Sequence, residues 1–304
     1  MRRVPAALEL ACPDCRRPHD ERALVCALCG RVLRRELPRS TPRASEDSED
    51  SSAAPHAAPS REDRRARVEP WVYLGLGLAT APLFAWAPLL SYMAWFLAAL
   101  PHEMGHAAAA WLSGMPAIPA ISPGGDAAAV HGERSTLVAL TLALVLAALI
   151  WHRSGGRTRR VALALLAGVE TLLAFPGSRE LAHLLAGHSA ELAFATLCLW
   201  KTLDGGFTDS RLERWLYGTL GWRLLGTNLA LCWGLMQSAA ARGAYRSNGS
   251  FGLTNDYLRV ADLLSVNLQT VALGMLVVGL LAFPAALGLW RLSSRVRGSD
   301  AAQA

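Results

Sequence analysis

Charge is scarce in this chain, and lysine almost missing from it: Lys201 stands alone among 30 basic residues. Only 18% of residues are charged, against about a quarter in an average soluble domain. From Trp71 to Pro101 there is no charged side chain, and from Ala107 to Ala129 Asp126 is the only one. Such stretches exclude an ordinary soluble domain. The first 70 residues contain no apolar segment followed by small residues, so no cleavable signal peptide is expected. The net charge of +6 does not point to nucleic acid, and no nucleic-acid partner is expected. Its arginines crowd the N-terminal part and the short loops Arg153–Arg160 and Arg291–Arg297, where membrane-flanking charge belongs.

What is present divides sharply. Residues 1–69 are rich in Arg, Asp, Glu, Pro and Ser, whereas the remainder is mostly Leu, Ala, Val, Gly and Trp, for a mean hydropathy of +0.26 overall. Four domains are expected: 1–37, 38–69, 70–294 and a tail, 295–304. In the first, Cys12-Pro-Asp-Cys15 and Cys26-Ala-Leu-Cys29 form two C-x-x-C knuckles separated by ten residues. Each knuckle offers two thiolates to one tetrahedral Zn²⁺, and the separation suits a short hairpin. Four cysteines leave no open position, so this zinc is structural. The motif resembles the short zinc ribbons at the N-termini of many bacterial membrane proteins, and implies an unknown protein partner. Reduced thiolates place the N-terminus in the cytoplasm. Residues 38–69 lack large apolar side chains and read as a disordered linker. Arg61–Arg67 at its end is a cytoplasmic anchor for the first span. Cys198 and Cys232, in apolar segments, read as core residues.

A membrane span needs about 20 apolar residues. Seven stretches approach that length: 71–88, 90–112, 135–151, 161–176, 184–201, 215–240 and 265–290. The expected architecture is an all-α polytopic membrane protein of about six spans, carrying the small zinc ribbon at its N-terminus. Pro82 and Pro88 should break the first stretch. The segment Ser113–Glu133, with Pro116, Pro119 and Pro123 and paired glycines, is not a helix. Its Ala-Ile-Pro-Ala-Ile pattern fits a short hairpin or re-entrant strand. Counting spans from a cytoplasmic Arg61–Arg67 puts Arg153–Arg160 outside, against the positive-inside tendency, unless an early segment is re-entrant or the loop traverses.

Within the apolar part lies Pro101-His102-Glu103-Met104-Gly105-His106, an H-E-x-x-H motif. On a helix the two histidines share one face and can meet one Zn²⁺, with Glu103 as general base toward a water. Two histidines and a glutamate at membrane depth are costly unless they bind metal or line a polar cavity. A catalytic zinc takes three protein ligands. Two places compete for the third. One is Leu203-Asp204-Gly205-Gly206, after an apolar helix. The other is the cluster Glu180 to Glu191, where His188 and Glu191 share a face and Gly187 permits close approach. There Glu191 is itself the ligand, as in gluzincin-type membrane proteases, or it orients a metal-binding His188.

The order H-E-x-G-H, a Pro/Gly-containing loop, further spans, then Leu-Asp-Gly resembles the site-2 protease family of intramembrane zinc metalloproteases. The resemblance covers roughly residues 71–240. It implies His102, His106 and Asp204 as zinc ligands, Glu103 as the base, and a transmembrane or membrane-proximal protein segment as substrate. The chain departs from the family in lacking the Asn/Pro residues that precede its Leu-Asp-Gly, and in having more spans between the two motifs. The implied cofactors are two Zn²⁺, one catalytic and one structural, and the implied location is a bacterial inner membrane.

Glu170, inside an apolar stretch, needs a partner and marks a cavity by default. Asn228 is placed to bond a neighbouring helix, and Asn255 with Asp256 to cap the last helix. Other functions fit the same residues. A zinc-dependent lipid-amide hydrolase needs the same metal and base, while a non-catalytic adaptor would not need Glu103 beside its ligands. Membrane hydroxylases and desaturases require more histidines than the eight present.

Overall fold

A computed structural model describes residues 10–11, 18–19, 61–205, 207, 210–247 and 254–303. The chain divides into two compact units, Met1–Ala58 and Pro59–Ala304. In the first, strands β1 (Leu10–Ala11) and β2 (Pro18–His19) pair antiparallel, with Leu10 opposite His19. Cys12, Cys15, Cys26 and Cys29, expected to hold the structural zinc, lie outside the described residues, as does the linker up to residue 60.

The second unit is mostly helical. Helix α1 (Arg61–Thr80) begins inside the segment expected to be linker, so the last residues of that segment are helical. The short α2 (Leu83–Trp86) and the long α3 (Pro88–Leu112) follow. Proline supplies the break, as expected. Pro82 sits just ahead of α2, and Pro88 opens α3, where its fixed φ and missing N–H cost nothing. The chain bends by 109° there. Next come strands β3 (Ala117–Ile121) and β4 (Ala127–His131), an antiparallel hairpin with Ala117 opposite His131. Of the short hairpin or re-entrant strand expected for this loop, a hairpin forms, and Gly125 takes a left-handed φ of 100° at its tip.

Helices α4 (Thr136–Arg153) and α5 (Gly156–Ala174) lead to α6 (Pro176–Asp204), with a bend of 110° at Pro176. Helices α7 (Arg211–Gln237), α8 (Ala239–Ser247), α9 (Asp256–Leu264) and α10 (Leu268–Gln303) complete the unit. The presumed tail after residue 294 is thus a continuation of α10. The core is built by α6, α7, α9 and α10, with Leu74 of α1 packed against it. On α6 the buried positions Leu184, His188, Leu192, Ala195, Leu199 and Thr202 recur every three or four residues and form one stripe. That stripe carries a histidine where a leucine would serve packing better.

Six spans are more than length and apolarity support. Two helices qualify, Thr136–Arg153 and Leu268–Arg295, or up to four if each bent pair makes one span. The difference lies in the polar residues of the long helices. Helix α6 carries Arg179, Glu180, His183, His188 and Glu191, and α7 carries Arg211, Glu213, Arg214 and Arg223. Helix α4 has no buried residue, and Leu137, Leu140 and Leu144 are each more than half exposed.

Candidate metal centre

Helix α3 presents His102, Glu103 and His106 within a single turn and a half, and Glu103 and His106 lie on its buried face. The glycine of the motif has a packing role. A Cβ on Gly105 would lie 2.3 Å from the Ala186 carbonyl oxygen and 2.6 Å from the Ala190 Cβ, so only glycine lets α3 cross α6 this closely.

At that crossing three atoms converge. His102 Nε2 and His106 Nε2 are 3.1 Å apart. Asp256 Oδ2, from the first residue of α9, is 3.1 Å from His106 Nε2 and 3.3 Å from His102 Nε2. Gly187 of α6 faces the same spot. A Cβ there would stand 2.4 Å from His106 Nε2 and 2.5 Å from His102 Nε2, so the space in front of both nitrogens exists because residue 187 has no side chain. Three lone-pair atoms meeting in a space kept clear by glycine are an arrangement that a metal ion can occupy. Gly187→Ala should therefore displace at least one imidazole. If a metal is held there, elemental analysis of the purified variant is expected to show it lost while helical content by circular dichroism is retained.

The other nitrogen of each imidazole is fixed. His102 Nδ1 lies 2.7 Å from Glu191 Oε1, and His106 Nδ1 lies 2.8 Å from the His183 carbonyl oxygen. Carboxylate and backbone carbonyl are the usual partners that set the tautomer of a metal-binding histidine and raise its basicity. Asn228 of α7, expected to bond a neighbouring helix, does so: its Nδ2 donates to Glu191 Oε2, and its Oδ1 is 3.2 Å from His188 Nδ1. Tyr257, wholly buried beside Asp256, stacks on the His188 ring at 4.3 Å and seats the start of α9. Burial raises the proton affinity of the Asp256 carboxyl. Hydrogen bonds from His102 and His106 outweigh that effect and hold it below the ordinary aspartate range.

Asp204, expected as third ligand, is not brought to the histidines. It ends the helix that carries His188, about 24 Å further along at 1.5 Å per residue, and its Oδ1 accepts a hydrogen bond of 2.7 Å from Ser293. The carboxylate that does lie beside both histidines is Asp256, which the sequence offered only as a capping residue. Asn255 occupies the cap, without a side-chain capping bond. His188 and Glu191 do come to the site. With His102 they form a second group able to hold a metal, which competes with the first for the same imidazole. In the first group Glu191 acts from behind His102. Glu191→Gln should then weaken metal binding by about 10–100-fold without abolishing it, measurable by competition with a chromogenic chelator. Glu170 takes no part: its Oε1 is buried with no hydrogen-bond partner among the described residues, and it lines neither cavity at the site.

Two cavities meet at Glu103. One, of about 230 Å³, is polar and lined by His102, His106, His131, His183, Asp256 and Arg259, with Ala127–Ala129 of β4 along one wall. The other, of about 340 Å³, runs between Trp95, Ala98, Leu224 and Leu231. Glu103 is 6% exposed, and its carboxylate accepts no hydrogen bond within the described residues, so both oxygens are available to whatever enters. Comparison with protein-family models, with curated proteins and with solved structures finds no match.

Proposed function

We propose that the chain is a membrane-embedded zinc metallopeptidase that cuts transmembrane or membrane-proximal segments of other proteins. The observation that carries this reading is the triangle of His102 Nε2, His106 Nε2 and Asp256 Oδ2, with edges of 3.1, 3.1 and 3.3 Å. Ligands bound at 2.0–2.1 Å around a tetrahedral ion are separated by roughly 3.3 Å, so the three atoms match one face of a zinc site. Two imidazoles and a carboxylate, with a cavity in front, suit a catalytic rather than a structural zinc. When bound, zinc supplies Lewis acidity toward a scissile carbonyl and toward a water.

The chain's own residues divide the remaining work. Glu103, unbonded and facing both cavities, accepts the proton of the attacking water and delivers one to the leaving amine. Glu191 and the His183 carbonyl keep the ligating nitrogens aimed. The outer edge of β4 pairs with no strand among the described residues. Its Ala127–Ala129 stretch borders the cavity beside Glu103, and their small side chains let an extended peptide lie against the backbone. The apolar surface of α4 and the up to four spans support a membrane setting. A structural zinc on Cys12, Cys15, Cys26 and Cys29 belongs to the same proposal.

The test compares the termini of membrane proteins in cells producing wild type with those producing His106→Ala, by terminal-peptide mass spectrometry. New termini within or beside apolar segments are expected only with wild type. One other reading has an observation of its own. The apolar cavity of 340 Å³ beside Glu103 would suit the chain of a lipid amide, and release of fatty acid without new protein termini would favour it. No difference between the two strains in either assay would overturn the enzyme.

A further inference from the structure

The two cavities that meet at Glu103 differ in character and lie to either side of the same residues. His102, Glu103 and Ala127 border both. Along α3, Trp95 and Ala98 face the larger cavity one to two turns before His102, and His106 faces the smaller one a turn after it. Trp95, Leu224 and Leu231 give the larger cavity apolar walls, and no arginine or lysine among the described residues borders it. The smaller one has Arg259. That residue follows Asp256 by three positions, so both side chains leave one face of α9, about 4.5 Å apart along its axis. Its Nη2 is 3.5 Å from Glu180 Oε1, and with both side chains half exposed such a pair holds little. The other two guanidinium nitrogens have no partner among the described residues. The Asp256 carboxylate is turned to His102 and His106 instead.

We infer that these cavities are specificity pockets on either side of the scissile bond. The larger takes a large apolar side chain, and the smaller an aspartate or glutamate whose carboxylate meets Arg259. Consecutive side chains of an extended peptide point to opposite faces, so a strand lying along Ala127–Ala129 can send neighbours one into each cavity. The planar guanidinium offers a carboxylate two parallel N–H donors, which an amide side chain cannot match. An apolar residue beside an acid is the composition expected where a span meets its polar flank. This substrate class rests on the proposed peptidase reading and narrows it.

The test aligns, by the bond cut, the new membrane-protein termini found in cells producing wild type and not in those producing His106→Ala. Beside that bond, an acid opposite a large apolar residue is expected about tenfold more often than its amide counterpart. Arg259→Gln should erase the acidic preference, and Arg259→Glu should replace it with one for lysine or arginine. Ala98→Leu should shift the apolar partner toward alanine and glycine by filling its pocket. All three variants should keep the metal content of wild type, which certifies their fold. Binding is read separately on full-length Glu103→Gln by fluorescence anisotropy, with a labelled peptide spanning the most frequent cut and its amide counterpart. The acidic peptide should bind about tenfold more tightly. Cuts without an acidic preference, or a preference that survives Arg259→Gln, overturn the pockets and leave the peptidase standing. Cuts confined to chain ends do the same, by assigning Arg259 to a terminal carboxylate. An absence of new termini, with or without release of fatty acid, overturns the pockets together with the peptidase.

Discussion

Asp256→Ala should remove one zinc from the purified protein, leaving only the one at the N-terminal cysteines, whereas Asp204→Ala should leave both. The contrast is large because the two aspartates differ in kind. Asp256 Oδ2 is 3.1 Å from His106 Nε2, at the focus of the site. Asp204 lies about 24 Å from His188 along α6 and accepts a hydrogen bond from Ser293. Losing an orienting residue costs about 10–100-fold in metal affinity, and loss of a ligand should cost more. Elemental analysis after passage over a chelating resin measures it, with circular dichroism to show that α9 has not melted. A zinc count that falls in Asp204→Ala and holds in Asp256→Ala would assign the third arm to Asp204 after all.

Glu103→Gln should show the opposite pairing, with full metal content and no proteolysis. Glutamine keeps the volume of the buried side chain and removes only the base. General-base catalysis contributes about 10²–10⁴-fold, so cleavage should fall by about that factor. Because Glu103 accepts no hydrogen bond from the described residues, no partner is orphaned and stability should change little. The readout is the rate of appearance of cleaved membrane-protein termini, beside zinc content for the same preparation. Loss of zinc would make Glu103 part of the coordination, and persistent cleavage would give the proton transfer to another group.

Much of this was readable from residue order. Two histidines four apart on an apolar helix must share a face, and α3 places them so. Three prolines and paired glycines forbid a helix across 113–133, and a hairpin turns there at Gly125. Asp256 was not readable. An aspartate in the first turn of a helix is ordinary, because it favours the positive end of the dipole, and nothing in its spacing separates a ligand from a cap. Its role depends on where α9 docks, which Tyr257 decides by stacking on His188. Asp204 lies apart from the histidines for the converse reason. A short Leu-Asp-Gly carries little information, and α6 runs unbroken from the site to that aspartate, carrying it away rather than back. The expectation of about six spans rests on apolar stretches taken one by one, whereas two helices, or up to four if each bent pair is one span, are long and apolar enough. Polar faces of α6 and α7 that belong to the site and its surroundings lower the hydropathy of helices that are otherwise long enough.

His106 and Asp256 are 150 positions apart in the chain, yet they would grip the same ion. Such an ion is a cross-link, equivalent in topology to a disulfide closing a loop of that length. In the chain-entropy account a closure of this size stabilises by about 5 kcal/mol, a large share of what holds most domains folded. With an ion bound, the proposed centre would be a fastener as well as a reagent. Stripping it should loosen α9 from α3 and α6, so that a chelated protein becomes vulnerable to proteases before any helix has melted.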